Sequence, residues 1–224
     1  MLSLLDLSAA FDSVDHGTLL QRLQTSYGLG RNVIAWFTSY LTGRTQYVRT
    51  AASRLVSLAV LFGVPKGSVL GPILFLLYIA DLLQLVKRHG LRPHCCADDT
   101  QIYGFCDPSD VDALQEHLLL CIDEVFSWMM SNWLQLNPAK TEVLWRSSAR
   151  RQHQIPTGPV RVGDTSVLPV RTGRDQGVYI DADVTMSAHI TTVVKACFAA
   201  LSQIRSVRRS LTRTTTLVHA LVVT

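Results

Sequence analysis

The chain has 224 residues, of which 48% are hydrophobic and 17% charged, with a formal net charge of +4. That balance supports a sizeable core in one large or two small domains and excludes global disorder; the mild positive charge permits nucleic-acid binding without demonstrating it. Five cysteines without a CxxC pair argue against a disulfide framework and for a reducing intracellular setting, and seven histidines without HExxH or similar spacing argue against zinc.

In chain order, residues 1–7 read as a strand. Met1 leads into apolar sequence without a basic stretch, and Asp6 interrupts it early, so a signal peptide is not expected. Residues 17–29 place Leu19, Leu20, Leu23 and Tyr27 at helical spacing, and 32–41 place Val33, Trp36, Phe37 and Tyr40 likewise, with Gly43 as a stop. Residues 44–50 and 54–62 are rich in strand formers and predict a hairpin. GVPKGSVLGP then forms a loop into a buried helix over 73–86. That run has membrane-like length, but Gly71, Pro72, Asp81 and Gln84 favour a core helix with Pro72 in its first turn.

Residues 92–97 and 100–105 predict two strands with Asp98 and Asp99 at their junction. Residues 109–133 form the clearest helix, with Ser109 and Asp112 suited to a capping box and Leu114, Leu118, Cys121, Ile122, Val125 and Met129 as the buried stripe. Residues 134–136 and 142–145 flank the turn NPAKT. The polar, basic segment that follows contains a hairpin over 160–170 around Gly163 and Asp164. A strand near 177–180 and a helix from about Ala188 complete the pattern. Both ends fall inside apparent elements, which suggests a piece of a longer protein. The expected class is α+β, an antiparallel sheet with helices on one face.

Asp6, Asp98 and Asp99 stand out. They lie about ninety residues apart, each in or beside an apolar strand. Carboxylates near a core are costly unless paired, and adjacent acids repel. A divalent cation resolves that cost, since Mg²⁺ takes carboxylate and phosphate oxygens. The pattern therefore points to two-metal phosphoryl transfer.

The ordered series LLDLSAAFD, GRTQYV, GVPKGSVLGPILF, ADDTQIY, WLQLNPAKTEVL and GVYIDADVTMSAHI resembles the reverse transcriptase of non-LTR (LINE-type) retrotransposons, particularly the jockey-like group. The resemblance covers essentially the whole chain. It implies a right-hand polymerase palm followed by a partial helical thumb: palm over 1–146, a basic linker with a hairpin over 147–175, and the end of the palm with a thumb helix over 176–224. It implies RNA-directed DNA synthesis, with an RNA template, a DNA primer and dNTPs as partners, and two Mg²⁺ ions (or Mn²⁺ in their place) held by Asp6, Asp98 and Asp99. Fingers and endonuclease regions would belong to the parent polyprotein, and activity would require the fingers to be restored.

By the same resemblance, Phe11 would lie under the sugar of the incoming nucleotide and reject a 2′-hydroxyl, with Ala10 allowing close backbone approach. Gly67 and Ser68, in the glycine-punctuated loop, and Lys140 would contact the nucleotide. Cys96 and Lys66 would lie near primer and template. Arg205, Arg208, Arg209 and Arg213 would meet the backbone of the RNA–DNA hybrid. Asp12, Asp15 and His16 are assigned to local turn and helix-start structure. The chain departs from the family pattern at Cys96 (usually Tyr or Phe), Lys66 (usually Gln), Ala9 (commonly Lys) and Gln176 (usually hydrophobic). Rival readings are a transposon remnant that keeps the fold but only binds nucleic acid weakly, and a nucleotide cyclase, against which the GVPKGSVLGP and NPAKT segments speak.

Overall fold

The computed structural model describes residues 1–50 and 53–207. The chain divides into two compact units, Met1–Trp145 with Pro156–Val170, and Arg146–Ile155 with Arg171–Thr224.

In the first unit, β1 (Leu2–Leu5) and β2 (Leu7–Ser8) are one strand interrupted at Asp6. There follow α1 (His16–Thr25), α2 (Arg31–Leu41), the ribbon strands β3 (Thr45–Gln46) and β4 (Leu58–Ala59), and α3 (Leu70–Arg88). Next come β5 (Arg92–Cys96), β6 (Asp99–Tyr103), α4 (Val111–Ser131), β7 (Gln135–Leu136) and β8 (Glu142–Leu144), then the hairpin β9 (Val160–Val162) and β10 (Thr165–Val167). The central sheet has the order β5-β6-β1-β8 and is antiparallel throughout. Strand alternation closes one of its faces with Ser3, Leu5, Thr100, Ile102 and Val143, all buried.

α3 is the core helix of this unit. Leu74, Phe75, Tyr78, Ile79, Leu82 and Val86 are fully buried, whereas Asp81 and Gln84 face outward. Each such large side chain contributes about 1.5–3 kcal/mol on burial. The helix is long and apolar enough to cross a membrane by length and composition, but its apolar stripe packs on α1, α4 and β5. Ser68 starts it: the Oγ accepts from Gly71 N–H at 3.0 Å and donates to Pro65 carbonyl at 2.7 Å. Beneath it, the Arg22 guanidinium donates to Tyr78 carbonyl and Asn132 Oδ1, and Tyr78 Oη donates to Asn132 carbonyl at 2.8 Å. That network ties α1, α3 and the end of α4 together.

α4 buries the six residues expected of its stripe. Its predicted capping box is absent. Pro108–Asp110 form a 3-10 turn, Asp110 becomes the cap residue without a side-chain cap bond, and Ser109 Oγ donates to Asp110 Oδ1 instead. Proline pulls the chain into that turn one residue too early for Ser109 to reach the helix amides.

The second unit contains a 3-10 turn (Ala149–Gln154), the hairpin β11 (Thr172–Asp175) and β12 (Val178–Asp181), and α5 (Ser187–Val207). The polar segment read as a linker thus supplies β9 and β10 to one unit and β11 to the other. Gln176 and Gly177, both at positive φ, make the two-residue turn between β11 and β12. Asp181 is buried and accepts from Ala188 N–H at 3.1 Å, fixing the start of α5.

Candidate active site

Leu5 and Thr100 are the last registered pair between β1 and β6. Asp6 and Asp99 lie one step beyond them, at the same end of the sheet. Cys96 pairs with Asp99, which leaves Ala97 and Asp98 as the two residues of the β5–β6 turn. Ala97 is at φ 56, where a side chain costs about 1–2 kcal/mol relative to glycine. Asp98 is half-buried, Asp99 and Cys96 exposed. The sequence expectation that the acid pair sits at a strand junction is met, with Asp99 opening β6.

The other flank of Asp6 is shaped by a register break. Leu4 pairs with Glu142 and Leu7 with Leu136, so residues 5–6 face the longer segment 137–141. Asn137 N–H donates to Asp6 carbonyl at 2.9 Å, while the amides of Lys140 and Thr141 and the Thr141 hydroxyl donate to Asn137 carbonyl at 3.2, 3.0 and 2.9 Å. The NPAKT turn is therefore folded against Asp6, and Lys140 Nζ lies 3.6 Å from Asp6 Oδ2. That oxygen is buried and has no hydrogen-bond partner.

Phe11 follows on a 3-10 turn (Ala10–Asp12) that Ala9 enters at φ 50. Ala10 is buried. The Phe11 ring rests on Phe75 of α3, centroids 5.1 Å apart and planes tilted by 44°. The glycine loop docks on the same turn. Val64 N–H donates to Phe11 carbonyl and Gly63 N–H to Val14 carbonyl, both at 2.8 Å. A Cβ on Gly63 would meet Phe11 O at 2.7 Å and Asp12 Cα at 2.8 Å, so only glycine allows this approach. Gly63 carbonyl accepts from Arg44 Nη2 at 2.6 Å and from His16 Nε2 at 2.8 Å; a carbonyl only accepts, so His16 carries its proton on Nε2. Lys66 reaches back to Asp12 Oδ2 at 2.5 Å.

His16 and Asp12 therefore do more than shape a local turn, while Asp15 does cap α1, accepting from Thr18 N–H at 2.7 Å. Gly67 takes φ +77 with open space around it, and Ser68 spends its hydroxyl on the α3 cap. Gly63, Arg44 and His16 were missed as site supports; the one sequence signal was the glycine opening GVPKGS. Arg205 is exposed on α5 in the second unit. Arg208, Arg209 and Arg213 lie outside the described residues.

The donor set suits a hard cation: carboxylates from two strand ends, one with a sealed, unpartnered oxygen that a lysine ammonium approaches. The side chains stand apart, however. Among the described residues no three His, Cys, Asp or Glu side chains converge as a ready metal site. Three carboxylates without a cation between them repel, which accounts for their separation.

The family model for reverse transcriptase (RNA-dependent DNA polymerase) matches residues 1–161. The chain belongs to the reverse transcriptase family. It is 30% identical over 199 residues to the "Probable RNA-directed DNA polymerase from transposon X-element" of Drosophila melanogaster, covering 84% of this chain and 20% of that protein. It is 25% identical over 208 residues to the "Probable RNA-directed DNA polymerase from transposon BS" of the same species, covering 90% and 22%. To the RNA-directed DNA polymerase from mobile element jockey of Drosophila funebris it is 27% identical over 196 residues, covering 84% and 20%. The LINE-type, jockey-like resemblance of the motifs is thereby borne out. The chain spans about a fifth of the length of these relatives. A polymerase palm is the architecture that the family implies, and the mixed antiparallel sheet with packed helices is consistent with it.

Proposed function

We propose that the chain carries the nucleotidyl-transfer centre of a retrotransposon's RNA-directed DNA polymerase, extending a DNA primer with dNTPs on an RNA template. The observation that carries this reading is the convergence of Asp6, Asp98 and Asp99 at one sheet end, with Asp6 Oδ2 buried and unpartnered.

Asp6, Asp98 and Asp99 would hold two Mg²⁺ ions. When bound, the ions would lower the pKa of the primer 3′-hydroxyl and neutralise the triphosphate and departing pyrophosphate. Lys140 would neutralise Asp6 before substrate arrives and then turn to the triphosphate. Phe11, fixed by Phe75, would present a flat ring to the nucleotide sugar and exclude a 2′-hydroxyl. The backbone of the Gly63–Ser68 loop would pass close to the nascent base pair, with Gly67 free of obstructing side chain and Lys66 held by Asp12. Cys96, at the end of β5, would lie on the primer side.

The second unit would be the start of a thumb, with Arg205 and the arginines after it facing the phosphates of the RNA–DNA hybrid. Fingers and endonuclease regions would come from the longer parent polyprotein. Primer extension on a primed RNA template, run with this chain and with the parent polyprotein, tests the reading. Asp98→Asn is expected to lower incorporation by about a thousandfold or more. Equal incorporation by both proteins would remove the metal assignment.

A further inference from the structure

No aspartate or glutamate occurs between Asp15 and Asp81, while the same stretch carries Arg22, Arg31, Arg44, Arg49, Arg54 and Lys66. The other residues hold fifteen lysines and arginines against seventeen acids. The positive charge of the protein is thus concentrated in this segment, and part of it lies on the ribbon formed by residues 44–62.

The ribbon is anchored at its base. Val60 N–H donates to Arg44 carbonyl at 2.9 Å, and the Arg44 guanidinium is spent on the carbonyls of Leu41 and Gly63 at 3.0 and 2.6 Å. Because Gly63 is itself locked to the Phe11–Asp12 turn, the ribbon projects from a point fixed beside the candidate site. Farther out, Arg49 and Arg54 face each other as a cross-strand bridge. Like charges in that position are destabilising. Neither arginine has an ion-pair partner among the described residues, since the recorded salt bridges involve other side chains. The Arg54 guanidinium lies 3.6 Å from the centroid of the Tyr47 ring, covering one face of an aromatic that is still 46% exposed.

A pair of opposed, unneutralised arginines beside an aromatic platform matches the chemistry of a polynucleotide strand. Phosphates relieve the repulsion, and a base stacks on the ring. We propose that the outer half of this ribbon binds a single-stranded polynucleotide, with Arg49 and Arg54 on its phosphates and a base on the uncovered face of Tyr47. If the polymerase reading holds, on which only the identity of the strand rests, that strand is the RNA template.

The test is binding of a fluorescently labelled single-stranded RNA to the chain, read by anisotropy at several salt concentrations. Each phosphate contact on a single strand contributes a slope of roughly 0.7 in log affinity against log salt. The double substitution Arg49→Gln with Arg54→Gln should therefore lower the slope by about 1.4, without lowering the thermal midpoint, because it removes a repulsion. Arg49→Lys with Arg54→Lys should restore the slope. Tyr47→Ala should weaken binding about 5- to 100-fold at fixed salt with the slope retained.

An unchanged slope in the glutamine pair overturns the proposal. So does RNA binding that is unaffected while self-association, read by sedimentation, is lost; the exposed Val48, Leu55 and Val56 would then serve a second copy. Should the glutamine pair fail to fold, unchanged affinity in Tyr47→Ala still overturns it. Binding is read without nucleotide incorporation. Ribbon-dependent binding with equal primer extension by wild type and Asp98→Asn would keep this site and remove the polymerase reading; an active chain with an unchanged slope would do the reverse.

Discussion

Lys140 Nζ stands 3.6 Å from Asp6 Oδ2, an oxygen that is buried and accepts no hydrogen bond. The ammonium is the nearest recorded cation to that carboxylate and occupies the place a divalent ion would claim. Because the lysine is 69% exposed and the Asp6 side chain 33% exposed, solvent screens the pair to about 1 kcal/mol or less. Lys140→Met should therefore tighten Mn²⁺ binding to the nucleotide-free protein by up to about fivefold, measured by titration calorimetry. If the lysine also meets the triphosphate, the same variant should raise the KM for dNTP. An unaltered Mn²⁺ affinity would show that the lysine does not shield Asp6.

Gly63 and Gly67 separate two roles of glycine in one loop. Both have positive φ, +81 and +77, but only Gly63 has backbone within 3 Å of where a Cβ would sit. Gly67→Ala should cost about 1 kcal/mol, the ordinary penalty for a side chain in that region. Gly63→Ala should cost about 2–4 kcal/mol, because Phe11 carbonyl and Asp12 Cα must also move. Urea denaturation midpoints for the two variants check this, and equal losses would mean that the loop is not clamped to the Phe11 turn.

The contrast bears on what could be read from the residues. The α4 stripe and the hairpin with the aspartates at its tip were legible because both rest on local periodicity and turn chemistry. The approach of Lys140 to Asp6 was not, since it depends on a register break between strands more than a hundred residues apart in sequence. The clamp of Gly63 on Phe11 is likewise non-local. β11 escaped notice because TGRD has no apolar alternation and pairs through its backbone alone. Site residue types were readable; the supports that fix their positions were not.

Phe11 rests on Phe75 at 5.1 Å, so its ring is held by the core helix and cannot readily swing aside. If it excludes a 2′-hydroxyl, Phe11→Val should raise incorporation of rNTPs relative to dNTPs by about tenfold or more, as a steric clash of about 1.4 kcal/mol or greater is relieved. Stability should fall by about 1–3 kcal/mol with loss of the aromatic contact. Single-nucleotide incorporation with matched dNTP and rNTP reads the ratio. An unaltered ratio would assign the ring to packing alone.

Cys121 lies fully buried on α4, and burial pushes its thiol up to about 12 from the ordinary 9.0, with the Glu124 carboxylate adding to the rise. In the unfolded chain the thiol ionises from pH 9 upward, whereas in the folded protein it keeps its proton to about pH 12. Between these values the native state binds more protons than the unfolded state, so stability falls as pH rises, by up to about 1.4 kcal/mol per pH unit from this group. Cys121→Ala removes that dependence while costing about 1–2 kcal/mol of packing at neutral pH. The stability gap between wild type and variant should therefore narrow above pH 9 and close or reverse before pH 12. Guanidinium denaturation of both proteins at stepped pH measures it, and a gap constant from pH 7 to 11 would show that Cys121 ionises in the folded protein much as it does in the unfolded chain.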